Sequence, residues 1–184
     1  MKLSLLVAVL FTACTAQTQT LRVVPVHLDA KVAIPATIQF LCAQDYDRHT
    51  CLKDSIALRH ALAPYPLDQL GAWSFVLAPS DDWKNLVHSL GGTPTSPAFS
   101  IIEQRTTILE RSLFSANPSR NKELLLTFGV IGSALLDLAV THELGHGICQ
   151  ERDERRADDY GRKLRQTKTV VCTKTSGRKT HALR

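Results

Sequence analysis

The sequence lacks internal repeats, low-complexity tracts and any segment with the composition of a linker. These absences argue against repeat architectures and multi-domain chains, so one domain accounts for the length. Aromatic residues are few, at 6% of the chain, whereas hydrophobic residues reach 44% and are sufficient for a core. None of the aromatic residues lies among the basic residues at the C-terminus, which argues against stacking of single-stranded nucleic acid there.

The sequence also lacks a long uninterrupted hydrophobic run. Its most apolar internal stretch, 124–140, is shorter than the roughly 20 residues that a membrane-spanning helix needs. Asp137 interrupts this stretch as well. We therefore predict a buried pair of helical segments, the second of which leads directly into His142, and the first of which begins at Ser119 or Asn121.

Residues 1–16 have the pattern of a secretory signal peptide. Lys2 precedes a short apolar run, and small polar residues then lead to Ala16, after which we expect cleavage. Lipoprotein processing at Cys14 is the weaker alternative, because Phe11 stands where an aliphatic residue is usual. The mature domain is then 17–184, and we expect it to be exported, either periplasmic or secreted.

Export determines how the cysteines are interpreted. The chain has five cysteines, and cleavage of the signal peptide removes Cys14. Four cysteines then remain, an even number, in an oxidising compartment. Four cysteines allow three pairings. Sequence separation favours Cys42–Cys51 and Cys149–Cys172, although Cys149 is also a possible metal ligand.

The C-terminal tail, from about residue 162, contains Lys and Arg but no Asp or Glu, in a chain of net charge +5. Such a tail can contact anionic surfaces of the cell envelope loosely, or it can be a solvated end. No motif indicates a specific nucleic-acid partner.

Hydrophobic patterning predicts a mixture of strands and helices, and hence an α+β fold. The ranges 21–28 and 32–41 are prone to form strands, but each contains a proline, so we expect them at the edge of a sheet. We expect a polar loop at 45–49 and a helix at 51–62. A strand at 73–77 and a helix at 83–90 follow. We predict two further strands at 98–102 and 105–114, the second being either the edge strand beside a cleft or an internal strand.

Two histidines near the end of the second helical segment form the most informative motif. His142 and His146 are four residues apart, so a helix places both imidazoles on one face, where they suit zinc. Glu143 can lie beside the metal and accept a proton from water as general base. Gly147 is expected to end this helix. Glu154 is then the expected third ligand.

A second helix carries the acidic residues of the motif. Asp158 lies one turn after Glu154 and can accept the spare N–H of a ligating histidine, as carboxylates behind metal ligands commonly do. If Glu154 is not the third ligand, Asp153 and Asp158 are the alternatives.

The sequence 142–158 resembles the gluzincin branch of zinc metallopeptidases. Their pattern is HExxH followed by a helix with E-x-x-A-D, as in His142 to His146 and Glu154 to Asp158 here, and Gly161 also fits. The metzincin extension is absent, since Cys149 and Arg152 occupy its positions. The resemblance implies a zincin-like domain, in which a small mixed sheet packs on the HExxH helix and on the following ligand-bearing helix. Members of this family often stabilise the oxyanion with a tyrosine, histidine or arginine, so the resemblance makes Tyr160 and Arg155 candidates for that role.

Two functions are compatible with these residues. The first is an exported peptidase that holds one Zn²⁺ per chain and hydrolyses a peptide or protein substrate, with Glu143 as general base. The second is a non-catalytic envelope protein with a structural zinc. Structural sites usually close with cysteine or with a fourth protein ligand, and a base at Glu143 would be unnecessary there. The residues therefore favour the peptidase.

Overall fold

The computed structural model describes residues 21–27 and 33–173, and it contains both strands and helices. The strands of these ranges are β1 (Val23–Pro25), β2 (Ile38–Ala43), β3 (Trp73–Ala78), β4 (Ala98–Ile101) and β5 (Thr106–Glu110). The helices are α1 (Arg48–Leu62), α2 (Trp83–Ser89), α3 (Pro118–Phe128), α4 (Ser133–Cys149) and α5 (Glu154–Thr167). Short 3-10 turns lie at Leu67–Leu70, Ile102–Gln104 and Arg111–Leu113. This mixture confirms the α+β class.

All of these strands belong to one mixed sheet with the order β1-β2-β3-β5-β4. The central strands β2, β3 and β5 are parallel, and β1 and β4 pair antiparallel at the two edges. In the central register Phe40 lies beside Phe75, and their rings stack with centroids 6.0 Å apart. Parallel neighbours require a crossover connection, which α1 provides between β2 and β3.

The edge of the sheet nearest the histidine helix is β4, and β5 is internal. Of the two alternatives for 105–114, the internal strand is therefore correct, but it is shorter than predicted. It ends at Glu110, whose buried carboxylate pairs with Arg120 at 2.8 Å, and a 3-10 turn follows. The strand predicted at 98–102 likewise ends at Ile101, where a 3-10 turn and Arg105, with φ of 50°, reverse the chain into β5.

Two helices begin earlier than the sequence pattern predicts, because a polar side chain caps each of them. Asp47 accepts a hydrogen bond from the Thr50 amide at 2.8 Å, so α1 starts inside the predicted polar loop. Asn117 accepts one from the Arg120 amide at 3.2 Å, with Pro118 at the first helical position, where its missing N–H costs nothing. Capping thus sets both boundaries.

The sheet is covered on both faces. Alternating side chains of a strand point to opposite faces, so Phe75 and Leu109 belong to one hydrophobic cluster, and Val76 and Ile108 belong to another. The larger cluster includes α1, α4 and α5, whereas Trp83 of α2 anchors the smaller one. Helix α4 therefore lies in the main core, which makes it a rigid support for a site.

Both predicted disulfides are confirmed. Cys42–Cys51 joins β2 to α1, with Cα atoms 6.2 Å apart. Cys149–Cys172 joins the end of α4 to the segment after α5, with Cα atoms 5.2 Å apart. Both pairs are compatible with an oxidising, exported location.

Some predictions fall wholly or partly outside the described residues. The signal peptide at 1–16 lies outside them, as do residues 174–184 of the basic tail. Residues 162–167 belong to α5, so the helix extends into the segment predicted as tail.

Helices α3 and α4 cover the most apolar internal stretch of the sequence. In the part of the chain that is described, no single helix has the length and apolar character to cross a bilayer. Together, α3 and α4 are long and apolar enough to cross a bilayer, but the chain bends by 60° between them.

Candidate metal centre

Three side chains converge where α4 faces the start of α5. The Nε2 atoms of His142 and His146 lie 3.0 Å apart, and Oε2 of Glu154 lies 3.1 Å from the first and 3.5 Å from the second. A tetrahedral zinc bound at about 2.0–2.2 Å separates its ligand atoms by about 3.3–3.6 Å. The three atoms are therefore close to the required spacing, and this group could hold a metal ion.

The Nδ1 nitrogen of each imidazole, on the side away from the shared point, makes a hydrogen bond. Nδ1 of His142 lies 2.7 Å from Oδ1 of Asp158, and Nδ1 of His146 lies 2.6 Å from the carbonyl oxygen of Glu151. Because a carboxylate and a carbonyl oxygen only accept, each Nδ1 carries the hydrogen. In the neutral ring, the lone pair is then on Nε2, which is the atom that points to the shared site.

The charges around the imidazoles favour a cation. Burial alone would lower the pKa of His142, but hydrogen bonds to Glu154 and Asp158 and the charge of Glu143 outweigh burial and raise it to about 9. The pKa of His146 is raised as well, since Glu154 and Glu143 outweigh its burial. Hydrogen bonds to the two histidines hold the pKa of Glu154 below its ordinary value. The nearby carboxylates therefore favour a positive charge at this point, which either a bound proton or a metal ion would supply.

Glycines allow α4 and α5 to approach closely. A Cβ on Gly145 would lie 2.6 Å from the backbone oxygen of Ala157, and one on Gly161 would lie 3.0 Å from that of Thr141. Both glycines therefore lie where the backbone of one helix meets the other. This close crossing brings Glu154 and Asp158 within reach of His142.

The end of α4 differs from the prediction. Gly147 does not end the helix, which continues to Cys149 and ends at Gln150, with φ of 50°. At Gly147 a Cβ would meet Leu70 at 2.6 Å and Trp73 at 3.1 Å. This glycine thus serves close packing against the sheet, and the helix ends one turn later.

Glu143 is beside the group of three but is not part of it. Its side chain is buried, and its Oε2 atom has no hydrogen-bond partner. Burial raises the pKa of this carboxyl, and the nearby charges of His142 and His146 offset only part of that rise. This oxygen is closed to solvent and makes no hydrogen bond to any described residue, so it does not hold another element of the fold in place.

An open cleft of about 540 Å³ gives access to these groups. Strand β4 and residues 90–96 form one side, and His142, Glu143, His146 and Glu154 form the other. Phe99 and Phe128 contribute apolar surface. Arg152 and Glu103, both exposed, pair across one end of the cleft.

Three of the alternative residues make other contacts, and a fourth, Arg155, lies exposed away from the cleft. Cys149 is bonded to Cys172 and is therefore not a metal ligand. Asp153 accepts the Arg156 amide at 3.0 Å and caps α5. Tyr160 is buried and its hydroxyl lies 2.9 Å from the hydroxyl of Thr173, while Arg155 is exposed, and neither lines the cleft.

Sequence reasoning did not find the residues on the sheet side of the site. Ser100 on β4 lines the cleft, and its hydroxyl lies 2.8 Å from that of Thr107 on β5. Thr107 in turn accepts a hydrogen bond from the indole N–H of Trp73 at 3.0 Å. Serine and threonine in strands carry no local signal of such a role, because it depends on the order of the strands in the sheet.

Comparisons with protein families, with curated proteins and with solved structures found nothing that matches this chain.

Proposed function

We propose that this chain is an exported zinc-dependent peptidase of the gluzincin type, built on a zincin-like domain. The observation that carries the proposal is the convergence of His142, His146 and Glu154 on one point, beside a buried Glu143 that is outside the group. Catalytic zinc sites have three protein ligands and an open position, whereas structural sites are closed by a fourth ligand. The cleft beside the group supports the open arrangement.

Zinc is the proposed cation because two imidazole nitrogens and one carboxylate oxygen form a donor set that it prefers. His142, His146 and Glu154 would hold it. Bound there, it would polarise the scissile carbonyl as a Lewis acid and would acidify a neighbouring water molecule. Asp158 and the Glu151 carbonyl would keep the two imidazole rings in orientation.

Glu143 is the proposed general base. It would accept the proton that the attacking water loses and pass it to the leaving amine. Its unpartnered Oε2 supports this role, because the atom is not engaged in holding the fold. Burial raises the pKa of the carboxyl from its ordinary acidic value toward the neutral range in which a proton-transfer group is most effective.

A peptide or protein is the proposed substrate. Within the described ranges, strand β4 pairs with β5 on one side only, and its residues line the cleft. An extended peptide could therefore pair with this edge by strand addition, which would place its backbone beside the metal centre. Phe99 and Phe128 would contact its side chains.

Export is supported by the two disulfides, and the tail would contact anionic envelope surfaces only loosely. The alternative function, a non-catalytic cell-envelope protein with a structural zinc, would require a further ligand. Among the described residues, only three side chains converge in this way.

Metal content and turnover test the proposal together. Purified mature protein should bind about one zinc per chain and cleave members of a broad peptide library. His142→Ala should lose both properties, because a two-ligand site is weak. His60→Ala is the matched control, since His60 is exposed on α1 and should keep both. Zinc binding that is unchanged in His142→Ala would refute the site, and zinc without turnover in wild type would favour the structural alternative.

A further inference from the structure

The connection between α4 and α5 is folded around the side chain of Glu151. Its Oε1 atom accepts the backbone N–H groups of Arg152 and Asp153 at 3.0 and 3.1 Å, and its Oε2 atom lies 2.8 Å from Nε of Arg156. The backbone N–H of Glu151 donates to the carbonyl oxygen of His146 at 3.1 Å. One carboxylate therefore joins the backbone of the connection to the first turn of α5.

The backbone of the same residue orients a ligand of the candidate metal centre. The carbonyl oxygen of Glu151 lies 2.6 Å from Nδ1 of His146, on the side of the ring away from the shared point. A carbonyl can only accept, whereas backbone N–H groups and a guanidinium can only donate. The directions of these hydrogen bonds therefore follow from the groups themselves. If the Glu151 backbone moved, His146 would lose the acceptor that fixes its ring.

Arg156 connects Glu151 to the segment that follows α5. Nη2 of this guanidinium donates to the carbonyl oxygen of Thr173 at 2.8 Å, while Nε faces the Glu151 carboxylate. The residue before Thr173, Cys172, is bonded to Cys149 at the end of α4. The segment is thus held covalently to the helix that carries the histidines, and Arg156 joins it to the α4–α5 connection.

The pair of Glu151 and Arg156 differs from an ordinary surface ion pair. Fully exposed pairs contribute little, because water competes for both partners. Here only 11% of the Glu151 side chain and 29% of the Arg156 side chain are exposed. Asp153 already caps α5 through the Arg156 amide, so the guanidinium is not needed to begin that helix. Its donors form a fixed fork, which suits two acceptors that lie in different directions.

We propose that Glu151 and Arg156 are positioning residues that hold His146 in the orientation required for metal binding. In this arrangement the Cys149–Cys172 disulfide supports them through the segment that Arg156 contacts. The consequence for zinc rests on the proposed function, but the arrangement itself does not. Neither Glu151 nor Arg156 belongs to the group of three ligand side chains. Their loss should therefore weaken zinc binding without removing a ligand.

Hydrogen exchange in metal-free protein tests the arrangement without any activity. In wild type the amide hydrogens of Glu151, Arg152 and Asp153 are hydrogen-bonded and should exchange slowly. Arg156→Gln should speed their exchange by about 10-fold or more, because the Glu151 carboxylate loses the guanidinium that holds it. Arg162→Gln is the matched control, since Arg162 is an exposed, ion-paired arginine on the same helix, and it should leave the three amides unchanged. Unchanged exchange in Arg156→Gln would overturn the proposal.

Zinc affinity, measured by competition with a chelator, tests the consequence. Arg156→Gln should weaken binding about 10-fold and still take up one zinc per chain at saturation, because all three ligands remain. Cys149→Ser together with Cys172→Ser should weaken binding as well. Since the disulfide acts through Arg156, adding Arg156→Gln to these changes should weaken binding no further than the stronger of the two effects alone.

Wild-type affinity in Arg156→Gln, or losses that simply add, would overturn the proposal. A wild type that binds no zinc would refute the metal centre of the proposed function instead. Hydrogen exchange of the three amides would then decide the arrangement around Glu151 alone.

Discussion

At the scale of single residues, each histidine of the candidate metal centre is oriented by a hydrogen-bond acceptor on its Nδ1 side. The Nδ1 atoms of His142 and His146 donate to Asp158 and to the Glu151 carbonyl, which leaves both Nε2 atoms directed at the same point. One of these partners is part of the backbone and cannot be removed by substitution. The other is a side chain, so its contribution can be measured.

Asp158→Ala should weaken zinc binding by about 10- to 100-fold, because the ring of His142 loses the acceptor that fixes its orientation and tautomer. Competition with a chelator of known affinity measures the change. Asp159→Ala is the control, since Asp159 is the next residue on α5, is exposed and pairs only with Arg162 in the described structure. Equal affinities in the two variants would mean that Asp158 does not orient the ligand.

At the scale of secondary structure elements, the site depends on how closely α4 and α5 cross. Gly145→Ala would bring a methyl group to 2.6 Å from the Ala157 carbonyl oxygen, which is backbone and cannot rotate away. In an exposed helix the same substitution stabilises by about 1 kcal/mol. Here we expect a loss of roughly 1–3 kcal/mol in the free energy of unfolding, together with weaker zinc binding, because the helices must separate.

Gly161→Ala tests the same helix crossing with a milder clash, because its methyl group would lie 3.0 Å from the Thr141 backbone oxygen, compared with 2.6 Å at Gly145. Its effect on denaturant unfolding should be smaller than that of Gly145→Ala. A Gly145→Ala protein with unchanged or higher stability would show that the crossing tolerates the methyl group.

The sequence predicted the α4–α5 half of the site because that half is local. Residues four apart on a helix share a face, so His142 and His146 needed no knowledge of the rest of the fold. The sheet side was not predictable in this way. Ser100 and Thr107 meet only because β4 pairs with β5 at the edge of the sheet, and the period of a strand does not specify its neighbours.

The boundaries of elements show the same limit. In the sequence, Gly147 looks like the end of a helix. In the structure, Leu70 and Trp73, from distant parts of the chain, pack closely against it, and the helix continues to Cys149. The start of α1 was missed for a local reason, the cap by Asp47, which lay inside a segment that was interpreted as a loop.

At the scale of the whole molecule, one of the two disulfides connects the helix that carries the histidines to a later part of the chain. Cys149–Cys172 joins the end of α4 to the segment that follows α5. In that segment, the hydroxyl of Thr173 makes a hydrogen bond with the hydroxyl of Tyr160. Removing this bridge with Cys149→Ser and Cys172→Ser together should lower the free energy of unfolding by roughly 2–4 kcal/mol. Denaturant unfolding measures the loss, with Cys42→Ser and Cys51→Ser as the comparison for the shorter loop.

Peptide mapping of the exported protein under non-reducing conditions is the check on the pairing itself. It should recover both bridges and no alkylated cysteine among these four residues. Free thiols or crossed pairs would contradict the disulfides of the structure.

The proposed peptidase function gives Glu143 and Glu154 different tasks, the first as general base and the second as metal ligand. The most direct measurement is zinc content and peptide turnover on Glu143→Gln and Glu154→Ala, prepared in parallel with wild type. Glu143→Gln should keep its zinc and lose turnover by at least the factor of about 10²–10⁴ that a general base contributes. Glu154→Ala should lose zinc affinity and turnover together, because it removes one of three ligand side chains. Normal zinc in Glu154→Ala, or full turnover in Glu143→Gln, would contradict the account.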